Sequence, residues 1–265
     1  MVQTDENVNM TVGNKFSTQW RVIDDARVLV ASADRPYTQL SAASVETFQR
    51  DGVVLLRNEF SSWVEPLRDG LERNLNNPKQ FAFPCDSTRS PERGRFFDSY
   101  CNWQLIPEYL LFVVTSSAAS IAAQLMASDT AQFFHDHAFA KEKGTAKATP
   151  WHHDLPYYCI DGSQTLSIYI ALDRTPVSTG VRFVKGSHRN GTTYRPRNFA
   201  AGDEYTQHDP TLVPIPDIDP HGANIFVEAL EPGDALCFDF RTLHGTTAEE
   251  VTDRRRAFST RWLGD

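Results

Sequence analysis

Three residues in the C-terminal half of the sequence have the types and spacing of metal ligands. His152 and Asp154 lie two positions apart in the segment TPWHHDLPYY, and His244 follows 92 residues later (244 − 152) in the segment LHG. In an extended chain, residues i and i+2 point to the same side, so His152 and Asp154 can reach one ion. Two imidazoles and one carboxylate on one face of an octahedral ion are the ligands expected of non-haem Fe(II) oxygenases, with positions left open for a cosubstrate and O2.

A cationic strand follows His244 and could hold an organic cosubstrate. In the segment RRRAFSTRW at 254–262, Arg255, Ala257 and Ser259 share one face of a strand, while Arg256 lies on the other. A guanidinium binds a carboxylate through two parallel hydrogen bonds, as the distal carboxylate of 2-oxoglutarate would require. The small, polar face is better suited to line a cofactor pocket, so the alternation predicts cofactor contacts from Arg255 and Ser259.

Other interpretations of these motifs remain open. An isolated His-x-Asp motif is most often a surface histidine beside a turn aspartate, and only its combination with Arg255 favours an oxygenase. The alternatives are a cupin-like protein that binds a metal without redox turnover and an isomerase or hydrolase built on the same barrel. A structural metal site is usually closed by four protein ligands, and a redox-neutral enzyme would not need the arginine.

A second pair of histidines could also suggest a metal site. His135 and His137 lie between Phe134 and Phe139 on a predicted strand. Histidines in this arrangement are more often structural residues held by hydrogen bonds, and we favour that interpretation.

The elements that position these residues change in character along the chain. LSAASVETFQRDG has a serine cap, helical spacing of Val45 and Phe48 and a terminating Gly52, VVLLRN is typical of a buried strand, and Trp63 to Leu75 predicts a second helix. After about residue 130 the apolar period becomes 2, in the strand-like segments FFHDHAFAK, TLSIYIALD, VRFVKG, ALCFDF and RAFSTRW. The fold predicted is mainly β with flanking helices around a double-stranded β-helix (jelly-roll, cupin-like) core.

The chain divides into an arm and one domain. Residues 1–35 are polar and weakly patterned, which predicts a flexible N-terminal arm, and 36–265 form a single catalytic domain. Residues 189–234 are rich in Pro, Gly, Asn and Asp and predict a lid insertion. Three arginines in this segment suggest an anionic group on a small-molecule substrate, although loop arginines are more often only solvated; they are Arg189, Arg195 and Arg197.

Composition excludes several functional classes and partners. A net charge of −8 argues against a broad nucleic-acid or anionic-membrane surface. Tyr109 to Met126 carries no charge, but its serines, threonine and glutamine and its single apolar stripe predict a core-packed helix and not a membrane span. Without a C-x-x-C pair or a secretion signal, we expect a cytoplasmic protein with reduced, mostly buried cysteines at positions 85, 101, 159 and 237.

Taken together, these motifs resemble the phytanoyl-CoA dioxygenase family. The matching segments run in family order from about residue 38, and they are FQRDGVVLLRN, AKEKGT, PWHHDLPYY, IALD, FVKGSHR, EPGDALCFDFRTLHG and RRRAFSTRW. The resemblance implies an Fe(II)- and 2-oxoglutarate-dependent dioxygenase, which uses O2 to hydroxylate or otherwise oxidise a small-molecule metabolite and releases succinate and CO2.

The resemblance also implies roles for individual residues. His152, Asp154 and His244 match the family's iron ligands, and Arg255 matches its 2-oxoglutarate arginine. Lys141 matches a lysine near the metal-side carboxylate of the cosubstrate, although Lys143 and Lys147 lie close by and a surface role is an alternative for each.

Two positions near the motif refine this implied chemistry. His153 stands where the family commonly has Gln, and on a strand it should face away from the metal. Related halogenases have Gly or Ala at the position of Asp154, so the aspartate argues against halogenation. The family's substrates include acyl thioesters, amino acids, phosphonates and natural-product intermediates, and the sequence does not select among them.

Overall fold

The computed structural model describes most of the chain, namely residues 11–12, 16–17, 36–78, 84–86, 94–197, 199 and 209–265. For 11–12, 16–17 and 84–86 only the backbone is described. The predicted arm at 1–35 lies outside the described residues apart from one short antiparallel pair, β1 (Thr11–Val12) with β2 (Phe16–Ser17). Part of the predicted lid, residue 198 and residues 200–208, lies outside them as well.

Two helices begin and end close to the positions that the sequence predicts. α1 spans Ala42–Asp51, with the Ser41 hydroxyl accepting a hydrogen bond from the Ser44 amide at its start. It ends at Gly52, whose φ of 75° lies in the left-handed region that glycine adopts without strain. α2 spans Val64–Asn76 and buries one apolar stripe.

The uncharged segment from Tyr109 to Met126 lies in two helices where we predicted one. α3 spans Pro107–Thr115 and α4 spans Ala118–Met126. At the break Ser116, the C-cap of α3, is extended, and its hydroxyl accepts a hydrogen bond from the Ala118 amide; the N-cap residue of α4, Ser117, makes no side-chain cap hydrogen bond. Within the described residues no single helix is long and apolar enough to cross a membrane; α3 and α4 meet that test only as a pair, bent by 51°.

Apart from the β1–β2 pair, the described strands form two antiparallel sheets, which agrees with the predicted jelly-roll core. Ten further strands follow β1 and β2 in the described residues: β3 (Val53–Leu56), β4 (Pro84–Asp86), β5 (Phe96–Tyr100), β6 (Gln132–Lys141), β7 (Thr165–Ala171), β8 (Arg182–Val184), β9 (Ile225–Phe226), β10 (Ala235–Phe238), β11 (His244–Gly245) and β12 (Arg255–Leu263). The large sheet has the order β3-β10-β7-β12-β6-β5-β4, and the small sheet has the order β11-β8-β9. β9 lies inside the predicted lid, where it pairs with β8.

The central strand β12 separates the hydrophobic core from an internal cavity. Phe258 and Trp262 point outward to the helices, and the Phe258 ring lies 4.3 Å from the ring of Tyr109. Burying such an aromatic side chain contributes about 1.5 to 3 kcal/mol. Arg255 and Arg261 point the opposite way and line the cavity between the sheets. The alternation of one strand therefore places Arg255 and Arg261 toward the cavity and Phe258 and Trp262 toward the core.

The cysteines with described side chains are free, as expected, but the prediction that they are mostly buried was wrong. Cys237 is buried, whereas Cys101 and Cys159 are exposed. Cys101 has a φ of 59° in a turn after β5, a position that the sequence pattern did not reveal. The side chain of Cys85 lies outside the described residues.

The Gly52 turn gives a test of this architecture. A Cβ at position 52 would lie 2.5 Å from the Thr242 hydroxyl, whereas a Cβ at Gly191, also left-handed with a φ of 68°, would meet nothing within 4 Å. We expect Gly52→Ala to lower the free energy of unfolding by about 2 to 5 kcal/mol, since overpacking adds to backbone strain. Gly191→Ala, the control, should cost only the strain, about 1 to 2 kcal/mol. Urea denaturation measures both, and equal losses would contradict the close approach.

Candidate metal centre

Three buried side chains converge at one end of the cavity. Nε2 of His152 lies 3.5 Å and Nε2 of His244 lies 3.7 Å from Oδ1 of Asp154. The ligand atoms of the three residues all lie within 4.8 Å of one another, a spacing that one metal ion can bridge. The structure thus brings together the residues that the sequence singled out as metal ligands.

Backbone pairing, and not the alternation of a strand, produces this convergence. The amides and carbonyls of His152 and His244 exchange two hydrogen bonds, of 2.9 and 2.8 Å, which place the two rings 4.1 Å apart. Asp154 is not extended, with φ −72° and ψ −33° at the start of a 3-10 turn, and its amide donates to the Phe240 carbonyl. The premise that Asp154 continues a strand was therefore wrong, because the chain turns after His153.

Hydrogen bonds fix both imidazoles in the form that binds a metal. Nδ1 of His152 lies 2.8 Å from the Pro150 carbonyl, and Nδ1 of His244 lies 2.9 Å from the Thr242 carbonyl. A carbonyl only accepts, so each Nδ1 carries a proton, and Nε2 is the nitrogen of each ring that faces Asp154 and can bind a metal. Burial lowers the pKa of His244 to about 3, which keeps this ring neutral. The donor set therefore fits a divalent metal ion.

The two oxygens of Asp154 face different partners. Oδ1 faces the two histidines, while Oδ2 accepts a hydrogen bond from Ser167 Oγ at 3.1 Å and lies 3.4 Å from Nε of Arg261. Burial alone would raise the pKa of Asp154, but the Arg261 guanidinium and the imidazoles hold it well below its usual range. The carboxylate is thus ionised and oriented, with one oxygen available to a metal.

His153 lies outside this group, as expected for a neighbour of a ligand. Its Nε2 accepts a hydrogen bond of 2.9 Å from the Tyr194 amide, and the two rings lie 5.3 Å apart. The side chain therefore holds the segment after β8 against the metal-ligand loop.

Arg255 is buried in the same cavity and differs in its partners from the arginines beside it. Its guanidinium donates to the Thr179 carbonyl and, at 3.0 Å, to the Tyr169 hydroxyl. Among the described residues no carboxylate lies within 4.0 Å of it, whereas its neighbours form ion pairs with Glu72, Glu142 and Asp173. Arg255 thus carries a buried positive charge without a carboxylate partner, in the direction that strand alternation indicated.

Lys141 and Ser259 occupy different environments. Lys141 is the register partner of Arg255, and its Nζ donates to the Lys147 carbonyl at 2.8 Å. Burial, together with the charge of Arg255, lowers the pKa of Lys141 to about 7. Ser259 is fully buried and does not line the cavity; its Oγ accepts a hydrogen bond from Nη1 of Arg261 at 2.5 Å.

Sequence reasoning did not identify several polar residues of the cavity. Arg261 follows Ser259 on the same face of β12, so continuing the alternation by two residues would have found it. Asp98 and Tyr100 lie on β5, which the sequence pattern did not predict as a strand. Ser167, on β7, holds Asp154 from within an apolar segment that gave no polar signal.

The predicted lid touches the cavity at one described residue. Phe199 lines the cavity, with its ring 4.7 Å from that of His152 and 5.2 Å from that of Tyr157. The lid arginines that suggested an anionic substrate do not line it: Arg189, Arg195 and Arg197.

The sequence matches one known protein family, and the fold matches those of several solved structures. Residues 48–257 match the sequence family described as phytanoyl-CoA dioxygenase (PhyH). No protein of curated function matches the sequence significantly.

Solved structures with the same fold share low sequence identity with the chain. EvdO2 from Micromonospora carbonacea var. aurantiaca complexed with 2-oxoglutarate has a TM-score of 0.63 at 21% identity, covering 87% of this chain and 94% of its own. The epimerase SnoN in complex with Fe3+, alpha ketoglutarate and nogalamycin RO has a TM-score of 0.63 at 20% identity, with coverages of 84% and 82%. EctD from S. alaskensis with 2-oxoglutarate and 5-hydroxyectoine has a TM-score of 0.63 at 18% identity, with coverages of 87% and 79%.

The hydrogen bond from Ser167 to Asp154 can be tested by metal affinity. Removing the hydroxyl in Ser167→Ala frees Oδ2 of Asp154, and we expect divalent metal to bind about 10- to 100-fold more weakly. Thr165→Val is the matched control, because it removes a hydroxyl from the same strand that has no hydrogen-bond partner among the described residues. Anaerobic titration calorimetry with Fe(II) compares the two variants. Equal affinities would show that Ser167 does not orient the ligand.

Proposed function

This chain belongs to the phytanoyl-CoA dioxygenase family of Fe(II)- and 2-oxoglutarate-dependent oxygenases, and we propose that it hydroxylates or otherwise oxidises a small-molecule metabolite at His152, Asp154 and His244. The observation that carries the proposal is the presence, in one cavity, of three convergent metal-ligand atoms and the uncompensated guanidinium of Arg255. When bound, Fe(II), 2-oxoglutarate and O2 supply a decarboxylation to succinate and CO2 coupled to oxidation of a substrate C–H bond.

The chain's own residues bind and orient the two partners of this chemistry. His152, His244 and the ionised Asp154 would hold the metal ion, and three protein ligands would leave it open to further ligands from the cavity. Arg255 binds the distal carboxylate of 2-oxoglutarate by charge-assisted hydrogen bonds, which are stronger than neutral ones. Lys141 is the register partner of Arg255 on the neighbouring strand, a position that favours binding of the same distal carboxylate. The family resemblance implied instead a position near the metal-side carboxylate.

Aromatic residues restrict water near the proposed metal. The cavity lining includes Phe139, Tyr158 and Phe238. We propose that 189–234 acts as the lid, because the Tyr157 hydroxyl donates to the Arg197 carbonyl at 2.9 Å and accepts from the Arg197 amide at 2.7 Å. This pair of bonds ties the segment to the metal-ligand loop, where a closed cover would protect a reactive site from solvent.

Two other activities fit the site less well. A cupin-like metal protein or isomerase without 2-oxoglutarate would leave the buried charge of Arg255 without a role, at a cost in stability. Halogenation would need the coordination position that Asp154 occupies, and its Oδ1 faces both histidines.

The proposed centre predicts the effect of removing the carboxylate. Asp154→Ala should abolish succinate formation in the presence of Fe(II), 2-oxoglutarate and O2, because two imidazoles alone form an incomplete site. His153→Gln is the adjacent control and should retain activity, since His153 contacts Tyr194 and not the trio. Succinate release is measured by mass spectrometry. Full turnover by Asp154→Ala would refute the assignment of the metal ligands.

The proposed contact between Arg255 and the distal carboxylate predicts that replacing this arginine selectively weakens 2-oxoglutarate binding. Arg255→Ala should weaken binding of 2-oxoglutarate by about 2 to 3 kcal/mol, the scale of a lost charge-assisted hydrogen-bond pair. Arg254→Ala removes a neighbouring arginine that pairs with Glu72 and Glu142, and it should leave affinity nearly unchanged. Titration of each Fe(II)-loaded variant with 2-oxoglutarate measures the two affinities. A larger loss of affinity in Arg254→Ala than in Arg255→Ala would show that the wrong arginine was chosen.

The lowered pKa of Lys141 predicts a pH dependence of 2-oxoglutarate binding. Below pH 7 the lysine is charged and attracts the carboxylate; as pH rises above about 7 it becomes neutral and the attraction is lost. Bound 2-oxoglutarate should raise the pKa of Lys141 again. The affinity for 2-oxoglutarate should then fall as pH rises from about 7 to this higher pKa, by about tenfold in total for each unit by which binding raises the pKa. Anaerobic titrations between pH 6 and 9 test this. Lys141→Met should bind weakly with a flat profile, and an unchanged slope in that variant would exclude Lys141 as the source.

A further inference from the structure

A second polar cluster lies in the same cavity but is not part of the metal site. Asp98 and Tyr100 lie on β5, and His137 lies beside them on β6, as the register partner of Tyr100. Oδ2 of Asp98 lies 3.3 Å from the Tyr100 hydroxyl, which donates to it, and 3.3 Å from Nε2 of His137. All three residues line the cavity.

Both partners of Asp98 are electrically neutral donors. Burial lowers the pKa of His137 to about 4, although Asp98 opposes that shift, so at neutral pH the ring is uncharged and donates through Nε2–H. Burial raises the pKa of the Tyr100 hydroxyl, which therefore stays protonated. Neither group compensates the negative charge of the carboxylate.

Among the described residues, no cation is available to this carboxylate. Asp98 is only 7% exposed, its Oδ1 has no hydrogen-bond partner, and no lysine or arginine nitrogen lies within 4.0 Å of it. The nearby Arg261 is committed to Asp154, Tyr158 and Ser259. A buried charge is costly unless it is paired, so the cavity contains a carboxylate that lacks a counter-ion.

The cluster is packed among aromatic rings. The His137 ring lies 3.7 Å from the Tyr100 ring in a stacked arrangement and 3.7 Å from the Phe139 ring. Aromatic faces attract cations, and a fixed carboxylate binds an ammonium group more strongly than a neutral donor. A hydroxyl group could donate to Oδ1, but it would leave the charge of Asp98 uncompensated.

We propose that Asp98, supported by Tyr100 and His137, binds a protonated amino group of the substrate. The substrate class is accordingly a small molecule that carries an ammonium group, held at Asp98 while another part of the molecule faces the metal ligands. This assignment rests on the proposed function and names the substrate class for the same cavity. It differs from the anionic group that the lid arginines suggested, since those arginines do not line the cavity.

Two probes of equal shape but different charge test the proposal. Benzylammonium and benzyl alcohol are titrated by calorimetry into the full chain loaded anaerobically with Fe(II) and 2-oxoglutarate. We expect benzylammonium to bind about tenfold more tightly or better, the scale of one charged hydrogen bond. Asp98→Asn should abolish this preference. Asp136→Asn is the matched control, because Asp136 is a buried aspartate that holds the amides of Asn102 and Trp103 and does not line the cavity.

The outcomes separate this proposal from the function on which it rests. Equal binding of the two probes to the unmodified protein, no binding of benzylammonium at millimolar concentration, or a preference that survives in Asp98→Asn would each overturn it. The comparison of benzylammonium with benzyl alcohol on the unmodified protein tests the proposal even if Asp98→Asn does not fold. The affinities for Fe(II) and 2-oxoglutarate are measured in the same samples. If the protein does not bind Fe(II) and 2-oxoglutarate, the proposed function is refuted. If it binds both but shows no preference for the amine, only the role of Asp98 is refuted.

Discussion

The site depends on the two reciprocal backbone hydrogen bonds between His152 and His244. They join chain segments 92 residues apart (244 − 152) and set the two rings side by side before any metal contributes. Each ring is then fixed by its own bond from Nδ1 to a nearby carbonyl, so that the two Nε2 atoms face the same point. The backbone bridge between His152 and β11 thus supplies the geometry, and the large sheet supplies Arg255 and Arg261, which line the same cavity.

Charge accounts for most of the remaining arrangement. Asp154 is compensated within the protein by Arg261, whereas Arg255 and Asp98 are buried without an ionic partner among the described residues. Proteins rarely retain a buried, unpaired charge without a functional reason, because desolvation opposes it. Among the described residues, the cavity thus contains a guanidinium and a carboxylate that lack an ionic partner, an arrangement suited to a cosubstrate carboxylate and a substrate ammonium group in the same cavity as the metal ligands.

The sequence was sufficient to predict the fold and the residues that converge, but not how they converge. The alternation of β12 correctly placed Arg255 toward the cavity. The types and spacing of His152, Asp154 and His244, together with Arg255 and the family resemblance, identified the three residues that converge. The turn at Asp154 was missed, although Pro156 in its first positions is a sequence signal for such a turn. The hydrogen bond that holds it, to the Phe240 carbonyl, comes from a residue distant in sequence. Asp98 was missed for a similar reason: β5 is a short strand whose pairing with β6 is determined by tertiary contacts and not by its own pattern.

The most direct test of this account is the position of the metal and cosubstrate themselves. A crystal of the full chain, grown anaerobically with Fe(II) and 2-oxoglutarate, can be measured on both sides of the iron absorption edge. The account predicts an anomalous peak in contact with Nε2 of His152, Nε2 of His244 and Oδ1 of Asp154, and cosubstrate density that ends at Arg255. Iron bound elsewhere, or 2-oxoglutarate density without contact to Arg255, would contradict it.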